Sequence, residues 1–209
     1  MLINKDKYII GNLSDVETFD EFEKFVKECE STTKTWSLDL QYCDTWEQFF
    51  EDGQKNYQNI VVFNKKKEMV ALWTFMFDVP ARAVETSTIV KEGHRGEKLG
   101  LFLNLIGERY VKANWGEHAD NIFGRVMIPE NQRWAATLCK YLNYRSLDIF
   151  NEPGIIFVGK QINSFFLPRF FNKQPDDIVE MNARFNTDEL ERFNDDLLDQ
   201  KRSKEWKEH

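Results

Sequence analysis

The stretch Thr88–Leu103, T-I-V-K-E-G-H-R-G-E-K-L-G-L-F-L, limits the fold more than any other part of the chain. Thr88, Ile89 and Val90 are β-branched throughout and predict the end of a strand. From Leu99 onward the residues are rich in Leu and Phe and predict a helix buried on most sides. Gly93, Gly96 and Gly100 punctuate the short link between them. A strand that turns through glycines into a helix leaves several backbone N–H groups unpaired and pointing one way. With the helix dipole behind them, those groups make a site for a phosphate or pyrophosphate. Arg95 and Lys98 add positive charge at the same place.

That local charge matters because the chain as a whole is acidic, with a formal net charge of −7. An acidic balance argues against nonspecific binding to nucleic acid, which rests on clustered Lys and Arg. The 209 residues, 42% hydrophobic and 14% aromatic, suffice for one mid-sized domain with a proper core and an appendage. No apolar run approaches the length that spans a bilayer, so no membrane partner is expected. The opening M-L-I-N-K-D-K-Y lacks the apolar region of a signal peptide, and a cytoplasmic location is the expectation. Cys29, Cys43 and Cys139 are few and widely spaced, with no C-x-x-C. His94, His118 and His209 form no ligand pair at helical spacing, so no metal is expected.

The chain then reads in order. Tyr8–Leu13 predicts a short strand, and Ser14 and Asp15 open a helix, with Thr18-x-x-Glu21 as a second capping box. Phe19, Phe22, Phe25, Val26 and Cys29 recur at helical spacing on one apolar face. A polar turn, Ser31–Lys34, follows, and Trp36–Cys43 is ambiguous. Thr45-x-x-Gln48 caps a second short helix that carries Trp46, Phe49 and Phe50 and ends near Gly53. Strands are predicted at Asn59–Asn64, Met69–Asp78 and Ala81–Val90, with Lys65-Lys66-Lys67 as an exposed hairpin turn. A helix over Lys98–Ala113, a strand over Asn121–Ile128 and a helix over Gln132–Leu142 come next. Strands Arg145–Phe150 and Gly154–Ile162 close the series β-α-α-β-β-β-α-β-α-β-β. The fold class is α/β (α+β): a mixed, mostly antiparallel sheet of about seven strands flanked by helices. Residues 163–209 form a separate extension, with an aromatic knot at Phe165–Phe171 and a charged amphipathic helix near Asn186–Leu198. That helix lies on its own domain or contacts another copy or a protein partner.

This order, with a charged glycine loop between a strand and a helix, resembles the GNAT superfamily of acyl-coenzyme A N-acyltransferases over roughly residues 7–162. The strongest match is His94-Arg95-Gly96-Glu97-Lys98-Leu99-Gly100, where the family has Arg or Gln, two residues, Gly, one residue, then Gly or Ala. Arg95 and Gly100 agree, and Lys98 stands where the first glycine belongs. A second match is Pro129-Glu130-Asn131, a helix, and Leu138-Cys139-Lys140-Tyr141-Leu142-Asn143-Tyr144, which looks like the family's Asn, helix and Tyr-x-x-Leu-Gly-Phe ending, with Tyr144 for the Phe. Asn143 stands for the glycine, Cys139 falls where the family often has a tyrosine acid, and Gln132 competes with Asn131 for the asparagine position.

The resemblance implies attack of an amine on the thioester of acetyl-CoA. Backbone N–H groups from Arg95, Gly96, Glu97, Lys98, Leu99 and Gly100 would hold the pyrophosphate. Ile89 and Val90 would border the pantetheine arm, lying between splayed strands that end at Val90 and Ile128, with an N–H near Val90 facing the oxyanion. Asn131 would bond the pantetheine. Glu85 is the expected base and Cys139 the expected acid, against the plainer readings of a solvent-facing strand carboxylate and a small buried helix residue. Asp78 and Glu92 rank below Glu85, and His94 lines the cofactor mouth. Trp36, Tyr42 and Trp46, with Asp39, Asp44 and Glu47, shape a pocket for a cationic small-molecule or peptide amine, or else belong to the core. The rival to an active N-acetyltransferase is a module of the same fold that has lost catalysis and serves as a binding or structural component of an assembly.

Overall fold

A computed structural model describes residues 3–32, 43–56, 59–78, 82–127, 130–147 and 154–162. Trp36, Asp39 and Tyr42 and the whole extension from residue 163 lie outside the described residues, as does the side chain of Asp78. The elements are β1 (Tyr8–Gly11), α1 (Phe19–Thr32), α2 (Trp46–Asn56), β2 (Asn59–Asn64), β3 (Met69–Asp78), β4 (Ala83–Val90), α3 (Leu99–Trp115), β5 (Asn121–Met127), α4 (Gln132–Leu142), β6 (Arg145–Leu147) and β7 (Ile155–Gln161). Seven strands form a mostly antiparallel sheet in the order β1-β2-β3-β4-β5-β7-β6. β4 and β5 run parallel, with α3 as their crossover, while β1–β2, β5–β7 and β6–β7 are antiparallel.

The chain divides into two compact units, and the division falls inside β3, β4 and α3. Among the described residues, the first holds the chain up to Trp73 together with Thr88–Gly107, and the second holds Thr74–Ser87 and the chain from Glu108 to Ile162. The core of the first is aromatic. Phe22, Phe25, Val26 and Cys29 from α1 meet Phe49 and Phe50 from α2 and Val61, Phe63, Leu72 and Ile89 from the strands. The i, i+3, i+4, i+7 spacing on α1 is what brings these four side chains to one face. Trp46 packs against this cluster, and its indole Nε1 donates to Glu30 at 3.1 Å. Trp46 thus packs on the edge of the core and stays partly exposed.

Local chemistry places the ends. Ser14 and Asp15 do not open a helix. They lie in a 3₁₀ turn, Leu13–Asp15, boxed by Asn12, whose side chain accepts from the Ser14 N–H at 2.8 Å. The helix waits for Thr18, whose Oγ1 takes the Glu21 N–H at 3.3 Å. Ser31 and Thr32, the start of the expected turn, are still in α1, with both hydroxyls bonding back to the Glu28 carbonyl, and Thr33 and Lys34 lie outside the described residues. α2 is capped by Thr45, whose Oγ1 accepts from the Gln48 N–H at 3.1 Å, and runs past Gly53 to Asn56. Asn143 ends α4 in the left-handed region (φ 58°), the role asparagine shares with glycine at helix ends.

In the second unit the parallel ladder is short. It pairs Ala83–Glu85 with Asn121–Phe123 and stops, although β4 and β5 both run on. A buried ion pair fixes its start. Arg82 Nε donates to Asp120 Oδ2 at 2.7 Å, and Nη2 donates to Oδ1 at 3.1 Å and to the Glu117 carbonyl at 2.9 Å.

Candidate functional site

The loop between β4 and α3 belongs to the first unit. Thr88–Val90 end the strand, and the Lys91 N–H closes it by donating to Val70 at 2.9 Å. A 3₁₀ turn, Glu92–His94, then uses the amides of His94 and Arg95 internally. From Gly96 through Leu101 no acceptor among the described residues takes a backbone N–H; the first helical bond is Phe102 to Lys98 at 3.0 Å. Gly96 (φ 87°) and Lys98 (φ 65°) both lie in the left-handed region. Such alternation turns successive N–H groups toward a common side and makes an anion-binding concavity. A Cβ built on Gly96 meets nothing within 4 Å, so the face of the loop is open.

Lys98 thus adopts the backbone conformation that explains why the family signature has glycine there. A lysine in that region carries about 1–2 kcal/mol of strain, and glycine recovers it less roughly 0.5–1 kcal/mol of extra unfolded-chain entropy. Lys98→Gly is expected to raise stability by about 0.5–1 kcal/mol, measured by urea unfolding. A loss instead would mean that the lysine side chain holds the loop.

Side chains pin the loop from outside. Tyr8 Oη and His94 Nδ1 are 3.0 Å apart with their rings edge-on, and Lys7 Nζ bridges to Glu97 Oε1 at 2.8 Å. Arg95 Nε donates to the Val90 carbonyl at 3.1 Å, and Lys91 pairs with Glu28. Asn104, buried on α3, donates to Thr88 Oγ1 at 2.8 Å and to the Gly100 carbonyl at 2.9 Å, tying the helix start to the strand end. Burial pushes the Cys29 thiol up to about 12, against the opposite pull of Arg95 and Lys91, so it is a neutral core group. Ile89 is buried in the core cluster, whereas Val90, Gly100 and His94 are half-buried and Arg95, Gly96, Glu97, Lys98 and Glu92 are exposed. Leu99 is buried as the first helical residue.

The remaining expected residues lie in the second unit. Glu85 closes the parallel ladder opposite Phe123. It is not a solvent-facing carboxylate: its Oε1 accepts from the Nε of Arg125, two residues further along β5. Cys139 is a half-buried free thiol on α4, and no hydrogen bond joins it to Glu85. Asn131 precedes α4 and receives the N–H groups of Trp134 (2.8 Å) and Ala135 (3.2 Å) on its carbonyl, but its side chain does not cap the helix. Gln132, its competitor, is exposed on the first turn.

Arg125 and the Arg82–Asp120 pair were missed from sequence. Arg125 had a signal: β5 alternates half-buried and buried positions, so a lone cation in N-I-F-G-R-V-M shares a face with Phe123. Arg82 and Asp120, 38 residues apart, had none.

No family model and no curated protein matches the chain. Solved structures do. A GNAT-family acetyltransferase from Streptococcus pneumoniae aligns over 75% of this chain and 99% of its own, at 14% identity and a TM-score of 0.58. An N-acetyltransferase from Staphylococcus aureus aligns over 75% and 99%, at 13% identity and a TM-score of 0.54. The spermidine/spermine N-acetyltransferase of Vibrio cholerae aligns over 74% and 94%, at 16% identity and a TM-score of 0.52. The chain has the GNAT acyl-CoA N-acyltransferase fold. No helix of the described residues is long and apolar enough to cross a membrane.

Proposed function

We propose that the chain is an N-acetyltransferase that moves an acetyl group from acetyl-CoA to a primary amine by direct attack on the thioester. The observation that carries this is the run of backbone N–H groups from Gly96 through Leu101 that no described residue satisfies, on an open face at the start of α3. That set fits a diphosphate, which needs several converging donors and a helix dipole of the right sign. The short β4–β5 ladder agrees with it: from Gly124 onward β5 has no ladder partner in β4, and a pantetheine amide can bond there like an added strand. The acetyltransferase names of the solved neighbours point the same way. Acetyl-CoA supplies the activated carbonyl. Glu85 is the base, Cys139 the acid for the leaving thiolate, and Asn131 a donor or acceptor for the pantetheine.

Calorimetric titration with acetyl-CoA, followed by thiol release with a panel of amines, tests this. Binding in the micromolar range is expected, and an absence of heat at millimolar acetyl-CoA would sink it. Gly96→Val is expected to weaken binding about tenfold or more, because a β-branched residue does not hold φ 87° and the N–H groups turn away from their common focus. The hold of Arg125 on Glu85 favours one other reading, a module of this fold without catalysis. Acetyl-CoA uptake without thiol release from any amine would select it.

A further inference from the structure

Every third residue of the loop between β4 and α3 is tied to a side chain from elsewhere in the first unit. Lys91 pairs with Glu28 of α1, His94 meets Tyr8, and Glu97 takes Lys7. Gly96 lies between the last two anchors, and Gly96 and Lys98 are the loop residues with positive φ. Tyr8 and Lys7 are neighbours in the chain, so one short stretch at the entry to β1 grips the loop on both sides of Gly96. The two grips are unequal. Lys7 and Glu97 have side chains 54% and 38% exposed, and an ion pair that wet contributes little. Tyr8 is buried, and its Oη lies 3.0 Å from Nδ1 of the half-buried His94, with the rings edge-on at 5.7 Å. Burial, with the Glu97 charge behind it, raises the Tyr8 phenol above its ordinary range and keeps it a neutral hydroxyl. Such a hydroxyl donates to Nδ1 of a neutral imidazole and accepts from the N–H of a charged one, so the contact holds in either state.

The backbone of His94 is already committed, its N–H donating to the Lys91 carbonyl at 2.9 Å. Holding its ring therefore holds the turn that hands the chain on to Gly96. Beyond it, the amides from Gly96 through Leu101 have no acceptor among the described residues. A loop with so few bonds of its own keeps one conformation only if groups outside it do the holding. A ligand then binds in proportion to the fraction of molecules in which the loop is competent. We infer, resting on the acetyltransferase reading above, that Tyr8 is a positioning residue for acetyl-CoA: through His94 it holds the Gly96–Leu101 amides in the arrangement that takes the diphosphate. β1 thus sets cofactor affinity from outside the loop, and Lys7 adds little to it.

A double-mutant cycle on acetyl-CoA affinity, measured by calorimetry with the full chain, tests it. Tyr8→Phe keeps the buried ring and removes only the hydroxyl; His94→Phe keeps a ring and removes the acceptor. Each is expected to raise Kd by about three- to tenfold. The two together are expected to raise it no further than either alone, since both break the same contact. Lys7→Met is expected to stay within about twofold of the wild type. Additive losses in the cycle overturn the inference, because Tyr8 then does not act through His94. So does a Tyr8→Phe Kd within about twofold of the wild type, or a Lys7→Met loss as large as that of Tyr8→Phe; each leaves the acetyltransferase reading standing. Failure of the wild type to bind acetyl-CoA removes both. Reciprocity supplies a check that needs no variant: if Tyr8 holds the loop for the ligand, the ligand holds Tyr8. Saturating acetyl-CoA is expected to slow amide exchange over Tyr8–Gly11 by about threefold or more, and unchanged exchange there overturns the inference even where a substitution fails to fold.

Discussion

Arg82→Ala is expected to cost about 3–5 kcal/mol of stability, the largest single effect of any charged residue described. Arg82 and Asp120 are 5% and 6% exposed, and removing the guanidinium leaves a buried carboxylate with no counter-ion. The damage reaches the backbone. The Arg82 carbonyl accepts the Asp120 N–H at 2.8 Å, and the Asp120 carbonyl accepts the Ile162 N–H at 2.9 Å. The pair therefore joins the entries of β4 and β5 to the end of β7. Urea unfolding measures the loss. A double replacement, Arg82→Met with Asp120→Asn, is expected to recover most of it, since no isolated charge is left buried. A loss below about 1 kcal/mol in the single variant would mean that Asp120 finds water or another cation, contrary to its burial. Arg82 also has φ 48°, so Arg82→Gly separates the causes: it relieves the backbone by about 1 kcal/mol but still strands the carboxylate.

The contrast between this pair and the glycine loop shows what a sequence reveals. The loop was legible because its information is local. β-branched residues, three glycines and a Leu-rich helix follow one another within sixteen positions, from Thr88 to Leu103. Even the departure at Lys98 is informative: the backbone there is left-handed, as the family's glycine implied. The strands at Asn59–Asn64 and Met69–Asp78 and the helix at Gln132–Leu142 match the expected bounds for the same reason, each being set by neighbours in the chain. Ion pairs are not local. Glu85 reads as a surface carboxylate until the parallel register brings Arg125 beside it, and no periodicity fixes that register in advance. For Cys139 the plainer reading, a small buried helix residue, outweighs the acid in the sequence, and its half-buried position on α4 is compatible with both.

Phe22→Ala carries the other large effect, an expected loss of about 3–5 kcal/mol. Phe22 is fully buried and stands at the centre of the first unit's aromatic core. Its ring stacks on Phe50 (5.3 Å, 29°) and Phe49 (5.8 Å, 15°), and Trp46 meets it edge-on at 6.2 Å. The truncation removes those contacts and leaves a cavity among rings that cannot close over it. The same substitution decides what Trp46 is for. Helical spacing alone gives an aromatic residue two roles, a wall for a cationic amine or a piece of core. Trp46 donates its N–H to Glu30, meets Phe22 and Phe49 edge-on and stays partly exposed, which favours the second role. Phe22→Ala is therefore expected to lower the urea midpoint while leaving the order of preference among amine acceptors unchanged. A reordered amine panel would put Trp46 in the acceptor site after all. An unchanged order would leave Trp46 in the core role.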